Sequence, residues 1–267
     1  MFGKCRLCLQ QGELQYSHLL PKALYRLVGS GTDSAHPDTV QITLNSRRKS
    51  SEQARRHLLC ACCEQRLNEN GEKWVLHNCY RGRGRFRLRE ELRNRVALDS
   101  ESDIEVYSAS EAEAAKLAYF CLSVLWRASL CDWPRRGQTY HAIDLGPYQE
   151  AIRRYLRGET GTPQHVAVTL ILSQLNIPVL AFSFPVSYRV DECHCHKFHI
   201  PGMSFVAAAG KEVPHSWVEI CILRSPHRPI FVSKAGDERA QDEIMRLMGK
   251  VAPPWGKYPL VEGTERS

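Results

Sequence analysis

Two pairs of cysteines carry the strongest chemical signal in this sequence: Cys5 and Cys8 in CRLC, and Cys60 and Cys63 in CACC. Two intervening residues let the backbone turn tightly enough to offer both sulfurs to one tetrahedral ion. Two such turns complete a closed set of four thiolates, the donor set of a structural zinc. Cys62 is the spare thiol and could replace Cys60 or Cys63, although the 60/63 spacing fits better. Eleven cysteines could also mean a disulfide framework, but MFGKCRLC has no apolar signal core and the thiols are closely paired, so reduced cysteine and metal are expected.

Between the pairs lies YSHLLPKALYR, which puts His18 ten residues after Cys8, and Glu64 directly follows Cys63. This arrangement resembles the zinc-ribbon branch of the HNH (ββα-metal) nuclease family. That branch reads CxxC, then an acidic residue, His, two apolar residues and Pro, then an apolar pair leading into CxxC and an Asn or His. The matching residues are Cys5–Cys8, Ser17-His18-Leu19-Leu20-Pro21 and Leu58-Leu59-Cys60-Ala61-Cys62-Cys63-Glu64, so the resemblance covers about residues 1–75.

The resemblance implies a ββα-metal module that hydrolyses phosphodiesters of DNA, or with less support RNA, using Mg or Mn. His18 would be the general base, and Glu64 would hold a metal-ligand position. Three positions differ from the family pattern. Ser17 stands where a metal-binding acid is usual, Glu64 where Asn or His is usual, and Arg55 near the expected middle Asn. Asn68 and Glu72, spaced four apart after Glu64 on one helix face, could supply the missing ligation. A non-catalytic zinc-ribbon adaptor that binds nucleic acid or a partner protein is the alternative; Ser17 favours it.

Charge points to the same class of partner. Residues 1–98 hold 18 Lys/Arg against 9 Asp/Glu, whereas the remainder holds 18 against 20, so the whole positive excess lies in the N-terminal part. That asymmetry suggests an anionic partner, nucleic acid first. The tract RGRGRFRLR offers Arg81, Arg83, Arg85 and Arg87 to a phosphate backbone, with Phe86 able to stack on a base. Arg47, Arg48, Lys49, Arg55 and Arg56 in the long segment before Cys60 could also touch phosphates.

The elements that must position these residues are legible from periodicity. From Met1 to about Tyr80 the sequence is poor in core residues and needs a metal staple; with its basic tail this zinc-binding module is expected to span 1–98. One strand is expected at Val40–Leu44. Residues 99–267 read as an α+β domain with a mainly antiparallel sheet, and a protein partner could dock on it. Its expected helices are Glu111–Leu130, with Ser110 as cap, Tyr148–Leu156, stopped by Gly158, and Asp237–Val251. A short strand is expected within 99–111, and further strands near 166–172, 177–190, 197–208, 216–223 and 229–233. CHCHKFH alternates Cys and His across the two faces of a strand, so one ion could not easily gather all four; the reading is an ordinary strand. Cys79, Cys121, Cys131 and Cys221 read as buried apolar residues. The longest apolar run, VAVTLILSQLNIPVLAF, is broken by polar residues and Pro178, so no membrane span is expected and the compartment predicted is the cytoplasm.

Overall fold

The computed structural model describes residues 1–29, 40–42, 47–49, 53–82, 84–100, 104–135, 138–173, 182–190 and 193–233. The chain is mixed α+β, with a mainly antiparallel sheet and four clustered cysteines near its N-terminus. The N-terminal part begins with β1 (Phe2–Lys4) and β2 (Gln11–His18), an antiparallel pair, followed by α1 (Lys22–Gly29). A small hairpin of β3 (Val40–Ile42) and β4 (Arg47–Lys49) precedes β5 (Arg55–Cys60), which pairs antiparallel with β2. From β5 the chain enters a helical stretch directly: α2 (Ala61–Leu67), a π-helical turn (Asn68–Glu72) and α3 (Lys73–Asn78). Helix α4 (Arg87–Arg93) ends the basic tract.

The rest is built around β6 (Ile104–Ser108) and α5 (Glu111–Ala128). Ser110 caps α5 through a reciprocal box: its hydroxyl accepts from the Glu113 N–H, and the Glu113 carboxylate accepts from the Ser110 N–H. A hairpin of β7 (Trp133–Arg135) and β8 (Gln138–Tyr140) leads to α6 (Tyr148–Arg157), which Gly158 ends in the left-handed conformation at φ 73°. Then come β9 (Val166–Leu172), β10 (Val186–Val190), β11 (Cys193–Ile200), β12 (Met203–Ala209), α7 (His215–Glu219) and β13 (Pro229–Ser233). The six-stranded sheet runs β10-β11-β12-β9-β13-β6, antiparallel except for β9 with β13.

Helix α5 is the hub. Leu117, Phe120, Leu125 and Trp126 are almost fully buried, each stabilising the fold by roughly 1.5–3 kcal/mol. One apolar cluster runs from Cys5 and Leu7 through α5 to Phe205 and Val232, so the N-terminal part and one face of the six-stranded sheet share a core across the 98/99 boundary. The opposite sheet face packs Cys193, Cys195 and Val206 against Trp217 and Cys221.

Several expectations are corrected. Residues 216–223 are not a strand: α7 starts after Pro214, and Trp217 and Cys221 bury one helical turn apart beneath the sheet. β-branched composition suggested a strand there, but the burial period is helical. The single strand at 197–208 is two, β11 and β12, joined at Pro201-Gly202; Gly202 has φ 76°, and a Cβ there would lie 2.7 Å from the Phe86 ring. The 81–89 tract does not present Phe86 to a base. Arg81 and Arg85 close a tight loop bounded by a Tyr80–Phe86 bridge, and Phe86 is fully buried, so it cannot stack on a base. Residues 182–185, within the expected 177–190 strand, are not in a strand, and the expected 237–251 helix lies outside the described residues. No helix among the described residues is long and apolar enough to cross a membrane.

The π-helical turn meets α5 at closest range through Gly71, where an added Cβ would lie 2.9 Å from the Phe120 nitrogen and 3.0 Å from its Cα. Gly71→Ala should therefore cost about 1–3 kcal/mol by overpacking. Gly161→Ala, with nothing within 4 Å of the new methyl, should be close to neutral. Thermal unfolding of the two variants checks this, and equal melting temperatures would contradict the packing described.

Candidate metal centre and adjoining polar site

The first cysteine turn is shaped by its own backbone. The Cys5 N–H donates to Gln10 O and the Leu9 N–H to Cys5 O, both at 2.9 Å, and Leu9 closes the turn at φ 64°. The Arg6 N–H donates to Leu58 O at 2.9 Å, tying the turn to β5. The second turn needs no loop: Cys60 is the last residue of β5 and Cys63 lies in the first turn of α2.

These turns bring the sulfurs of Cys5, Cys8, Cys60 and Cys63 all within 4.8 Å of one another, a group that can hold a metal ion such as zinc. The Cys8 and Cys60 sulfurs are 3.8 Å apart. A tetrahedron with metal–sulfur bonds of about 2.3 Å has edges of about 3.8 Å, so this pair has the spacing of a thiolate zinc centre. The Cys60 N–H also points at Cys5 Sγ, at 3.4 Å. Cys62 is exposed and outside the group, which leaves Cys60 and Cys63 as the second pair.

Electrostatics agree with that donor set. The Cys63 thiol bonds to Cys5, and with nearby backbone N–H groups this pulls the Cys5 thiol down to about 4. The same bond, with burial, drives Cys63 far above the ordinary thiol range. Four thiols this close cannot all ionise against one another unless a cation sits among them. The C-terminal part braces the first turn: Arg153 donates to Leu7 O at 2.7 Å while its other nitrogens reach Glu150 and Glu159.

His18 ends β2, opposite Arg55 in the β2–β5 ladder. Its Nε2 lies 2.7 Å from Gln53 Oε1, and its carbonyl accepts from Arg127 at 3.0 Å. Burial holds its pKa below the usual 6.5 against the Gln53 bond, and Arg55, Lys22 and Arg127 push it the same way. Burial and the neighbouring cations thus favour the uncharged imidazole. Leu19 and Leu20 behind it are fully buried, and the Leu19 N–H donates to Ala54 O.

Glu72 is buried and paired with Arg127 at 2.6 Å. Desolvation raises its pKa even so, with the Glu64 charge adding to the rise and Arg127 and His18 opposing it. These charges are near enough to act on one another. Two polar atoms here are enclosed without a hydrogen-bond partner among the described residues: Ser17 Oγ and Glu64 Oε1. Asn68 is exposed while Glu72, in the same π-helical turn, is buried, so Asn68 does not share the inward face expected of it. Among the described residues the four cysteines are the one group of three or more Cys, His, Asp or Glu ligand atoms; His18, Glu64 and Glu72 do not converge as a second.

The basic tract is split. Arg81 and Arg85 are exposed, Arg87 is paired with Glu91 at 2.8 Å, and Arg83 lies outside the described residues. Arg89 is turned inward, donating to Ser173 O. In β11, Cys193 and Cys195 face one core and His196 the other side, where it meets Ser187 at 2.9 Å, in keeping with an ordinary strand. Cys79, Cys121 and Cys221 are buried and Cys131 half-buried.

Sequence reasoning missed Gln53 and Arg127. Only Arg127 carried a signal, as a lone cation in the otherwise apolar run YFCLSVLWRASL. Compared with family models, curated proteins and solved structures, the chain matches none of them.

The purified protein should contain close to one zinc per chain by elemental analysis. Cys60→Ser should lose it and lower the melting temperature, because binding energy at such a site is folding energy. A stable wild-type protein without metal would refute the centre.

Proposed function

We propose that this chain is an HNH-like phosphodiesterase acting on nucleic acid, DNA in preference to RNA, with the four-cysteine centre as a structural zinc staple. The observation that carries the reading is the half-buried His18 at the end of a strand whose partner strand runs straight into the helix bearing Glu64. An uncharged imidazole can take a proton from water, the step that starts phosphodiester hydrolysis.

A divalent Mg or Mn would be held from Glu64, whose Oε1 is enclosed without a hydrogen-bond partner among the described residues and is an oxygen donor of the type these hard cations take. When bound, such an ion would stabilise charge on the phosphate and leaving oxygen. Gln53 would hold the imidazole at Nε2, and Arg127 would fix the strand end through the His18 carbonyl.

The second reading is a zinc-ribbon adaptor without catalysis. It is favoured by the commitment of Glu72 to Arg127 and by the lack, among the described residues, of a second ligand cluster.

His18→Ala should lower Mg- or Mn-dependent cleavage by about 10²–10⁴-fold while leaving zinc content and nucleic-acid affinity nearly intact. Glu64→Ala should also lower cleavage, with partial recovery at high Mn. The acid limb of kcat/KM should lie below pH 6.5, because burial depresses the His18 pKa and the active form is the unprotonated one. Wild-type protein that cuts neither DNA nor RNA with any divalent ion would leave the adaptor reading; cleavage surviving both substitutions would remove His18 and Glu64 from the site.

A further inference from the structure

An open groove of about 720 Å³ is bordered by β1, β2, β5 and the first cysteine turn. Tyr16 and His57 line it as a stacked pair, ring centroids 4.7 Å apart and planes 21° from parallel. The Arg55 guanidinium sits over the Tyr16 ring at 4.5 Å, setting a cation against the pair. The column is preset by the fold. Tyr16 and His57 are direct cross-strand partners next to a bulge in the β2–β5 ladder, and His57 Nδ1 lies 3.2 Å from Leu14 O.

Lys4, Arg6 and Arg56 also line the groove, and no carboxylate does so among the described residues. Asp132 acts on Arg56 at the groove, but its carboxylate is already held by the Ala142 N–H at 2.8 Å and faces His141 at 3.2 Å. Met1 and Leu9 add exposed apolar surface to the walls. Flat π-surface beside several cations and no anion matches a chain that alternates bases with phosphates.

We propose that this groove binds single-stranded nucleic acid, with an unpaired base stacked on the Tyr16–His57 column and the flanking phosphates held by Arg55, Arg56, Arg6 and Lys4. Stacking on protein rings requires a base face released from its neighbours, which a duplex does not offer. Arg55 links the groove to the site above, since it pairs opposite His18 in the ladder and its charge acts on the imidazole. A strand leaving the column past Arg55 meets His18. The inference rests on the nucleic-acid reading above but not on cleavage.

The test is equilibrium binding by full-length, zinc-loaded protein to labelled oligodeoxythymidine about a dozen nucleotides long, to the matching oligouridine, and to a duplex of the same length. Wild type should bind at least one single strand more tightly than the duplex; the uridine arm says whether RNA is accepted. Tyr16→Ala should weaken single-strand binding about tenfold, while Tyr16→Phe, which keeps the ring, should stay within about twofold. Arg55→Gln with Arg56→Gln should flatten the log–log salt dependence by about 1.4, at about 0.7 per lost contact on a single strand. This pair also serves if Tyr16→Ala fails to fold, as judged by zinc content and melting. Tight duplex binding indifferent to Tyr16 and to both arginines would overturn the groove assignment and leave the nucleic-acid reading standing. Tyr16-dependent single-strand binding without cleavage would support the groove and remove the nuclease. Binding to none of the three probes would overturn both.

Discussion

The N-terminal architecture depends on four sulfurs, from a turn after β1 and from the β5–α2 junction, meeting within 4.8 Å. Cys60 and Cys63 lie on either side of the strand-to-helix junction, so the group that joins the two turns also sets the angle at which α2 leaves β5. That angle decides where Glu64 and Glu72 stand relative to His18. The segment between Cys8 and Cys60 can be long because its ends are tied; closing a longer loop costs only slightly more chain entropy.

A second constraint comes from two buried arginines of the C-terminal part. Arg127 in α5 reaches both the His18 carbonyl and the Glu72 carboxylate, and Arg153 in α6 reaches the Leu7 carbonyl in the first cysteine turn. Each satisfies a backbone oxygen of the N-terminal part from an element more than a hundred residues away. Removing one partner of a buried pair leaves an uncompensated charge, so these contacts fix geometry even where their net stabilisation is small. The C-terminal α+β part is in this sense the scaffold on which the cysteine turns and His18 are held.

Charge also divides differently in space than along the chain. In the arginine tract, Arg87 and Arg89 turn to partners within the protein, while Arg55 and Arg56, on β5, line a groove with Tyr16 and His57. A guanidinium on a helix with a carboxylate one turn away is already partly neutralised. One held over an aromatic ring keeps its charge outward.

The four-cysteine group, the α5 cap and the strands at 166–172 and 229–233 were legible in the sequence, because each is local. A two-residue cysteine spacing, a Ser-x-x-Glu box and a short apolar run state their geometry within a few residues. The choice of Cys63 over Cys62 was only weighted by spacing, and tertiary contact decided it. Tertiary structure alone decided the rest. It made the start of 216–223 part of the short helix α7 because Trp217 and Cys221 must fill one sheet face, and buried Phe86 against Gly202. The π-helical turn left Asn68 outside while Glu72 went to Arg127. It also assembled the Tyr16–His57 pair, with Arg55 set against it, across two strands. No local pattern encodes such pairings, because each depends on which distant surface the segment must cover.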